Sequence, residues 1–123
     1  MHDIAHGIEL FNRGEFFECH ETLEALWLAE PGPRRYLYQG ILQIGVAFHH
    51  LRRGNYRGAT YLLDSGLRYL APFPSTCLGV DVAALRGAAE RCRRVLEALG
   101  PTRLGEVDPA LIPRVRLRRA PRG

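Results

Sequence analysis

The chain has 123 residues, 17 basic and 13 acidic side chains, and a formal net charge of +4 at pH 7. That length fits one domain, and 46% apolar content is enough for one core, which excludes a chain disordered throughout. All 17 cations are arginine, so every positive charge is fixed and able to pair bidentately with carboxylate or phosphate.

The charges are unevenly placed. The first 30 residues carry Asp3, Glu9, Glu15, Glu18, Glu21, Glu24 and Glu30 against Arg13 alone. Residues 31–100 carry ten arginines against Asp64, Asp81, Glu90 and Glu97. The last 23 residues carry six against Glu106 and Asp108, so the net charge sits in the tail. An acidic opening before a basic middle predicts intramolecular pairing, with the acidic segment laid against arginine-bearing neighbours.

The N-terminus, Met1-His2-Asp3-Ile4-Ala5-His6, lacks a secretory apolar region. The longest apolar run, residues 40–48, is less than half of the roughly 20 residues a membrane span needs. Cys19, Cys77 and Cys92 are odd in number and widely spaced, which argues against a disulfide framework or a cysteine zinc site. The expectation is a soluble, reduced, cytoplasmic protein with no membrane partner.

Glycine and proline divide the chain into five helices. Asp3 caps a first helix that runs to Arg13 and stops at Gly14. A second spans residues 15–29 and ends before Pro31-Gly32-Pro33, and a third spans 33–53 and stops at Gly54. Asn55 caps a fourth that ends near Ala71, and Asp81 caps a fifth that ends at Gly100-Pro101. No window alternates with period two, so no strands are expected. The fold class is all-α: a compact bundle of about five helices built on helical hairpins, occupying residues 1–100.

Prolines at 101, 109, 113 and 121 prevent a long helix beyond that point. Residues 101–123 therefore read as an extended, basic, Pro-rich tail, lying over the bundle or frayed. A weak repeat at an offset of 40 aligns Gly14-Glu15-Phe16 with Gly54-Asn55-Tyr56, Cys19 with Ala59 and Leu23 with Leu63. It reflects shared hairpin physics: a glycine turn, then small residues where helices approach closely.

Polar residues on the second and third helices need partners. On the second, Phe16, Cys19, Leu23, Leu26 and Trp27 form one apolar arc, and Phe17 and Leu28 a second patch. His20 and Glu24 fall between the two, Glu21 lies beyond the second, and Glu18 points furthest outward. The run His20-Glu21-Thr22-Leu23-Glu24 has the spacing of a His-Glu-x-x-His metal helix, with glutamate in the last position. The third helix is apolar on nearly every side except a stripe of Gln39, Gln43 and His50, which lie within about 40° of one another. A buried amide or imidazole must find partners. Gln43 and His50 are therefore expected to face His20, Glu21 and Glu24 across the helix pair.

Three chemistries suit that cluster. It can be a hydrogen-bond network fixing helix register, a divalent metal site of His20, Glu24 and His50, or a pocket for a small polar or cationic ligand. Hydrolysis at such a metal would need a base such as Glu21. His2, His6 and His49 read as solvated or packed, and Cys19 and Cys92 as small buried hydrophobes.

The run from Phe11 to Trp27, through Gly14-Glu15-Phe16-Phe17-Glu18-Cys19-His20-Glu21-Thr22, resembles a known family. It is that of the small all-helical bacterial and archaeal proteins termed domain of unknown function 309. The likeness continues through Gln39-Gly40-Ile41-Leu42-Gln43, His50-Leu51-Arg52-Arg53-Gly54-Asn55 and Leu78-Gly79-Val80-Asp81, covering roughly residues 8–98. The resemblance implies a compact helical bundle with no established activity, and no cofactor is expected beyond a divalent metal that the His/Glu cluster could hold. Its recurring polar positions fall on Glu18, His20, Glu21, Glu24, Gln43 and His50, and it excludes the tail after Gly100.

The leading functional expectation is a binding or interaction module with a polar site between the second and third helices, its partner a small polar ligand or a protein. A metal-dependent hydrolase is the alternative from another class. A second alternative gives nucleic acid to the tail cations Arg114, Arg116, Arg118 and Arg119, and is disfavoured because no base-stacking aromatic accompanies them. The apolar third helix also leaves room for a homodimer.

Overall fold

Side-chain caps and left-handed glycines set the helix boundaries. A computed structural model of the chain describes residues 3–117. Its helices are α1 (Ile4–Asn12), α2 (Phe16–Ala29), α3 (Arg35–Arg52), α4 (Tyr56–Leu70) and α5 (Val82–Leu99). The carboxylate of Asp3 accepts from the His6 amide, the Asn55 carbonyl from Gly58, and the Asp81 carboxylate from Ala84. Each cap satisfies one of the donors that a helix leaves free at its start. Gly14 and Gly54 both have φ of +75°, a conformation that reverses the chain without the steric cost a side chain would bring.

The five helices follow the order read from the sequence, and the fold is all-α apart from one very short hairpin. β1 (Thr76–Cys77) and β2 (Val80–Asp81) pair antiparallel, Thr76 with Asp81 and Cys77 with Val80. Leu78 and Gly79 turn between them with φ of 50° and 79°, the double positive φ of a tight hairpin. Two-residue strands have no room for a period-two pattern, so sequence alternation cannot reveal them.

α3 is the central element, packed between α2 and α4. Its buried residues include Leu37, Ile41, Ile44, Ala47 and Phe48. Phe48 meets Phe11 of α1 and Phe16 of α2, with ring centroids 6.1 and 6.3 Å apart. On the opposite side Gly40 and Gly66 bring the backbones of α3 and α4 together, because a Cβ on Gly66 would sit 3.1 Å from the Gly40 oxygen.

Beyond α5 the chain forms two short 3-10 turns, Pro101–Glu106 and Pro109–Leu111, and then runs extended over the bundle. Leu104 and Val115 are buried. The Asn12 side chain acts as a piece of backbone, donating to the Val115 carbonyl at 2.9 Å and accepting from its amide at 2.7 Å. The Asp81 amide donates to the Arg116 carbonyl, and Val80 bridges Leu117. Arg118 and Arg119 lie outside the described residues, as does His2.

The expected pairing of the acidic second helix with arginine is not what forms. Among the described residues, the arginines in ion pairs are Arg13 with Glu9 and Glu15, Arg93 with Asp64 and Glu97, and Arg103 with Glu106. No carboxylate within α2 is among them. Instead Arg35 lies over the Trp27 ring at 5.0 Å, and Arg52 over the Phe16 ring at 4.7 Å. The guanidinium planes at the α2–α3 seam cover aromatic faces, an attraction that needs no carboxylate.

Candidate functional site

Among the described residues α2 packs closely on α1 and α3, so one face of it is covered and the other is exposed. Phe16, Cys19, Thr22 and Leu23 are the buried residues. Glu18 and Glu21 are consequently exposed. His20 and Glu24 stand at the margin with side chains 40% and 47% exposed, and the His20 Nδ1 lies 3.6 Å from a Glu24 carboxylate oxygen. The second apolar patch read from the wheel is not buried: Phe17 is 67% and Leu28 68% exposed. No element of the described structure packs on that side of the helix.

Only part of the predicted cluster assembles. His50 turns to α4, its Nδ1 3.2 Å from the Asn55 Nδ2, and its ring fills the space beside Gly58. The expectation that His50 faces His20, Glu21 and Glu24 is therefore overturned. The antiparallel register of α2 and α3 explains why. Arg35 sits over Trp27 and Gly45 packs near Phe16, so Gln43 is level with the stretch around Cys19 and His20. His50 lies seven residues further, roughly 10 Å along the axis at 1.5 Å per residue. Among the described residues no group of three or more His, Cys, Asp or Glu is placed to hold a metal ion, so His20, Glu24 and His50 are not a ligand set.

Gln43 is half-buried on α3. Among the described residues its Oε1 and the Arg35 Nε are buried without a hydrogen-bond partner. A buried acceptor left unsatisfied costs about 1–3 kcal/mol. Gln43→Leu, of similar volume, is expected to raise stability by about 1 kcal/mol, seen as a higher midpoint in urea at unchanged slope. A lower midpoint would show that the amide makes a bond its replacement loses.

Cys19 and Cys92 are both buried in the core. Burial pushes Cys19 up to about 12 and Cys92 to about 11, which keeps both protonated at neutral pH. Cys19 donates to the Gly7 carbonyl at 3.3 Å, a structural contact between α2 and α1.

A cleft of about 480 Å³ opens at the other end of α3, and sequence reasoning did not find it. Phe11 and Arg13 come from α1 and its turn, Arg52 from the end of α3, and Leu104, Ile112 and Arg114 from the C-terminal segment. These residues are separated by up to a hundred positions and share no spacing, so no motif could have announced them. The same segment carries Arg114 and Arg116, the two described members of the predicted tail cations.

Residues 4–62 match the family described as Domain of unknown function (DUF309). Over that stretch, just under half of its length, the chain is similar to DUF309. The matched residues contain α1, α2 and α3 and the first part of α4, and with them all six predicted polar positions. The match stops short of the residue 98 expected from the resemblance. The chain is 39% identical over 64 residues to "Uncharacterized protein YpuF" of Bacillus subtilis (strain 168), covering 51% of this chain and 37% of that protein. It is 26% identical over 96 residues to an "Uncharacterized protein" of Aquifex aeolicus (strain VF5), covering 77% of this chain and 27% of that one. The matches thus span well under half the length of both relatives. No helix among the described residues is long and apolar enough to cross a membrane.

Proposed function

We propose that the protein is a binding module whose α2 face docks a basic, partly apolar segment of a partner protein. The observation that carries this reading is the state of the acids: Glu18 and Glu21 are exposed and make no ion pair among the described residues, although the chain is rich in arginine. Phe17, Glu21, Glu24 and Leu28 follow one another at three- and four-residue steps, which places them in one line along the helix. The line therefore offers an apolar group at each end and carboxylates between.

A basic amphipathic helix complements that pattern. Its apolar side chains would lie against Phe17 and Leu28, and its cations would meet Glu18, Glu21 and Glu24. The candidates stand on an open helix face, which suits a protein segment better than an enclosed small ligand. The hydrolase reading lacks its ligand set, and one of the two described tail cations belongs to the cleft, so neither rival gains a specific observation.

A labelled helical peptide of Arg and Leu at heptad spacing, read by fluorescence anisotropy, tests the proposal. Binding is expected to weaken about tenfold in Glu18→Gln/Glu21→Gln, to weaken similarly in Phe17→Ala/Leu28→Ala, and to fall with added salt. The two double variants change exposed side chains and should melt like the parent. If both bind the peptide as tightly as the parent does, the α2 face is not the docking surface.

A further inference from the structure

We infer that the cleft beside the α1–α2 turn binds a small amphiphile with an oxyanion head and an apolar body. At about 480 Å³ it lies within the size range of small-molecule sites. One part of its wall is apolar, with Phe11, Leu104, Val107 and Ile112 contributing. The other carries the guanidinium groups of Arg13, Arg52 and Arg114 against a single lining carboxylate, Asp108.

The cations are not equally occupied. Arg13 is held by Glu9 and Glu15. Arg52 donates to the Gly14 carbonyl at 2.9 Å and lies over Phe16. The Asp108 carboxylate accepts from the Ala110 amide at 2.9 Å, which ties it to its own turn. Arg114 makes no hydrogen bond or ion pair among the described residues. It is nevertheless placed closely, because the next residue, Val115, is clamped by both hydrogen bonds of the Asn12 side chain. A free guanidinium on a fixed backbone, at the rim of a partly apolar cleft, is the arrangement that receives a carboxylate or phosphate in a bidentate pair. An adjoining cleft of about 460 Å³ shares Asn12, Arg13 and Arg114 and continues past Ile8 and Leu117, so the apolar body has two directions to follow.

Charge decides the class of ligand. An amine would meet an excess of cations, and a neutral alcohol would leave Arg114 without a partner. An anion neutralises the excess and leaves its tail against the apolar wall.

Isothermal titration of the full chain with octanoate, octyl phosphate, octylamine and 1-octanol, all below their micellar concentrations, tests the inference. At least one anion is expected to bind saturably at one site, about tenfold or more tighter than the amine and the alcohol. Which anion binds better distinguishes a carboxylate from a phosphate ligand. Arg114→Ala is expected to weaken that anion about tenfold, while Arg116→Ala, outside the cleft lining, leaves it unchanged. Ile112→Trp, which fills the cleft, is expected to abolish binding, with thermal melts confirming that each variant is folded. Equal affinity for all four probes, or parental affinity in Arg114→Ala, would overturn the assignment.

Discussion

Phe48→Ala is expected to lower the unfolding free energy by about 3–5 kcal/mol, a large part of the roughly 5–15 kcal/mol a small domain possesses. Phe48 is fully buried on α3, where its ring meets Phe11 edge-on at 85° and Phe16 at a tilt of 35°. Phe11 and Phe16 complete the triangle at 5.6 Å and 79°. Three helices converge on those rings, so truncation removes packing from α1, α2 and α3 together. Arg52, which lies over Phe16, and the α1–α2 turn that it bonds would lose their support as well. Urea denaturation measures the loss, and a change under about 1 kcal/mol would mean that the rings are not a packed unit. Phe17→Ala is the matched control. Its side chain is 67% exposed, and the expected change is within about 0.5 kcal/mol.

The second large effect concerns two glycines in helices with opposite expected outcomes. In Gly66→Ala the new Cβ would lie 2.6 Å from the Ile44 Cγ1, 3.1 Å from the Gly40 oxygen and 3.3 Å from the Ile44 nitrogen. Two of those three atoms are backbone of α3, so relief requires α3 and α4 to separate along their contact. Overpacking of that kind costs about 1–3 kcal/mol, and the roughly 1 kcal/mol that alanine gains over glycine in a helix offsets only part of it. A net loss of up to about 2 kcal/mol is expected, and a larger loss for Gly66→Val. In Gly87→Ala the Cβ would meet only an Arg91 guanidinium nitrogen at 3.5 Å, an ordinary contact. That variant is expected to gain about 0.5–1 kcal/mol, since propensity acts there unopposed. Thermal melts of the two variants side by side give the comparison, and a stabilising Gly66→Ala would show that the two backbones do not approach as described.

Much of the fold was legible because its signals are local. Asp3, Asn55 and Asp81 are capping residues by chemistry, and each is found with its carboxylate or amide oxygen on the expected amide. Gly14 and Gly54 stop helices because they accept positive φ, and both do. The apolar circumference of α3 announced its central position. The site was less legible. A helical wheel gives the angle of a residue and discards its height along the axis. Gln43 and His50 share an angle, yet they stand two turns apart, so they cannot both be level with the same residues of α2. The wheel also cannot say whether a face has anything to pack against, so it shows Phe17 and Leu28 as a second apolar patch without showing that they are exposed.

The charge pattern with which the sequence opens shows the same division. Composition and order alone determined that the cations are all arginine, that the acids crowd the first helices, and that the excess belongs to the tail. Only the tertiary structure decided what those charges meet. Arg35 and Arg52 lie on aromatic rings, Glu18 and Glu21 make no ion pair among the described residues, and Arg114 is set at the rim of a cleft built from three distant segments. Helix formation and capping depend on neighbours within about four residues, which one sequence displays directly. Pairing between charges depends on which helix ends come together, and that is settled by packing around α3 and by the return of the C-terminal segment to Asn12.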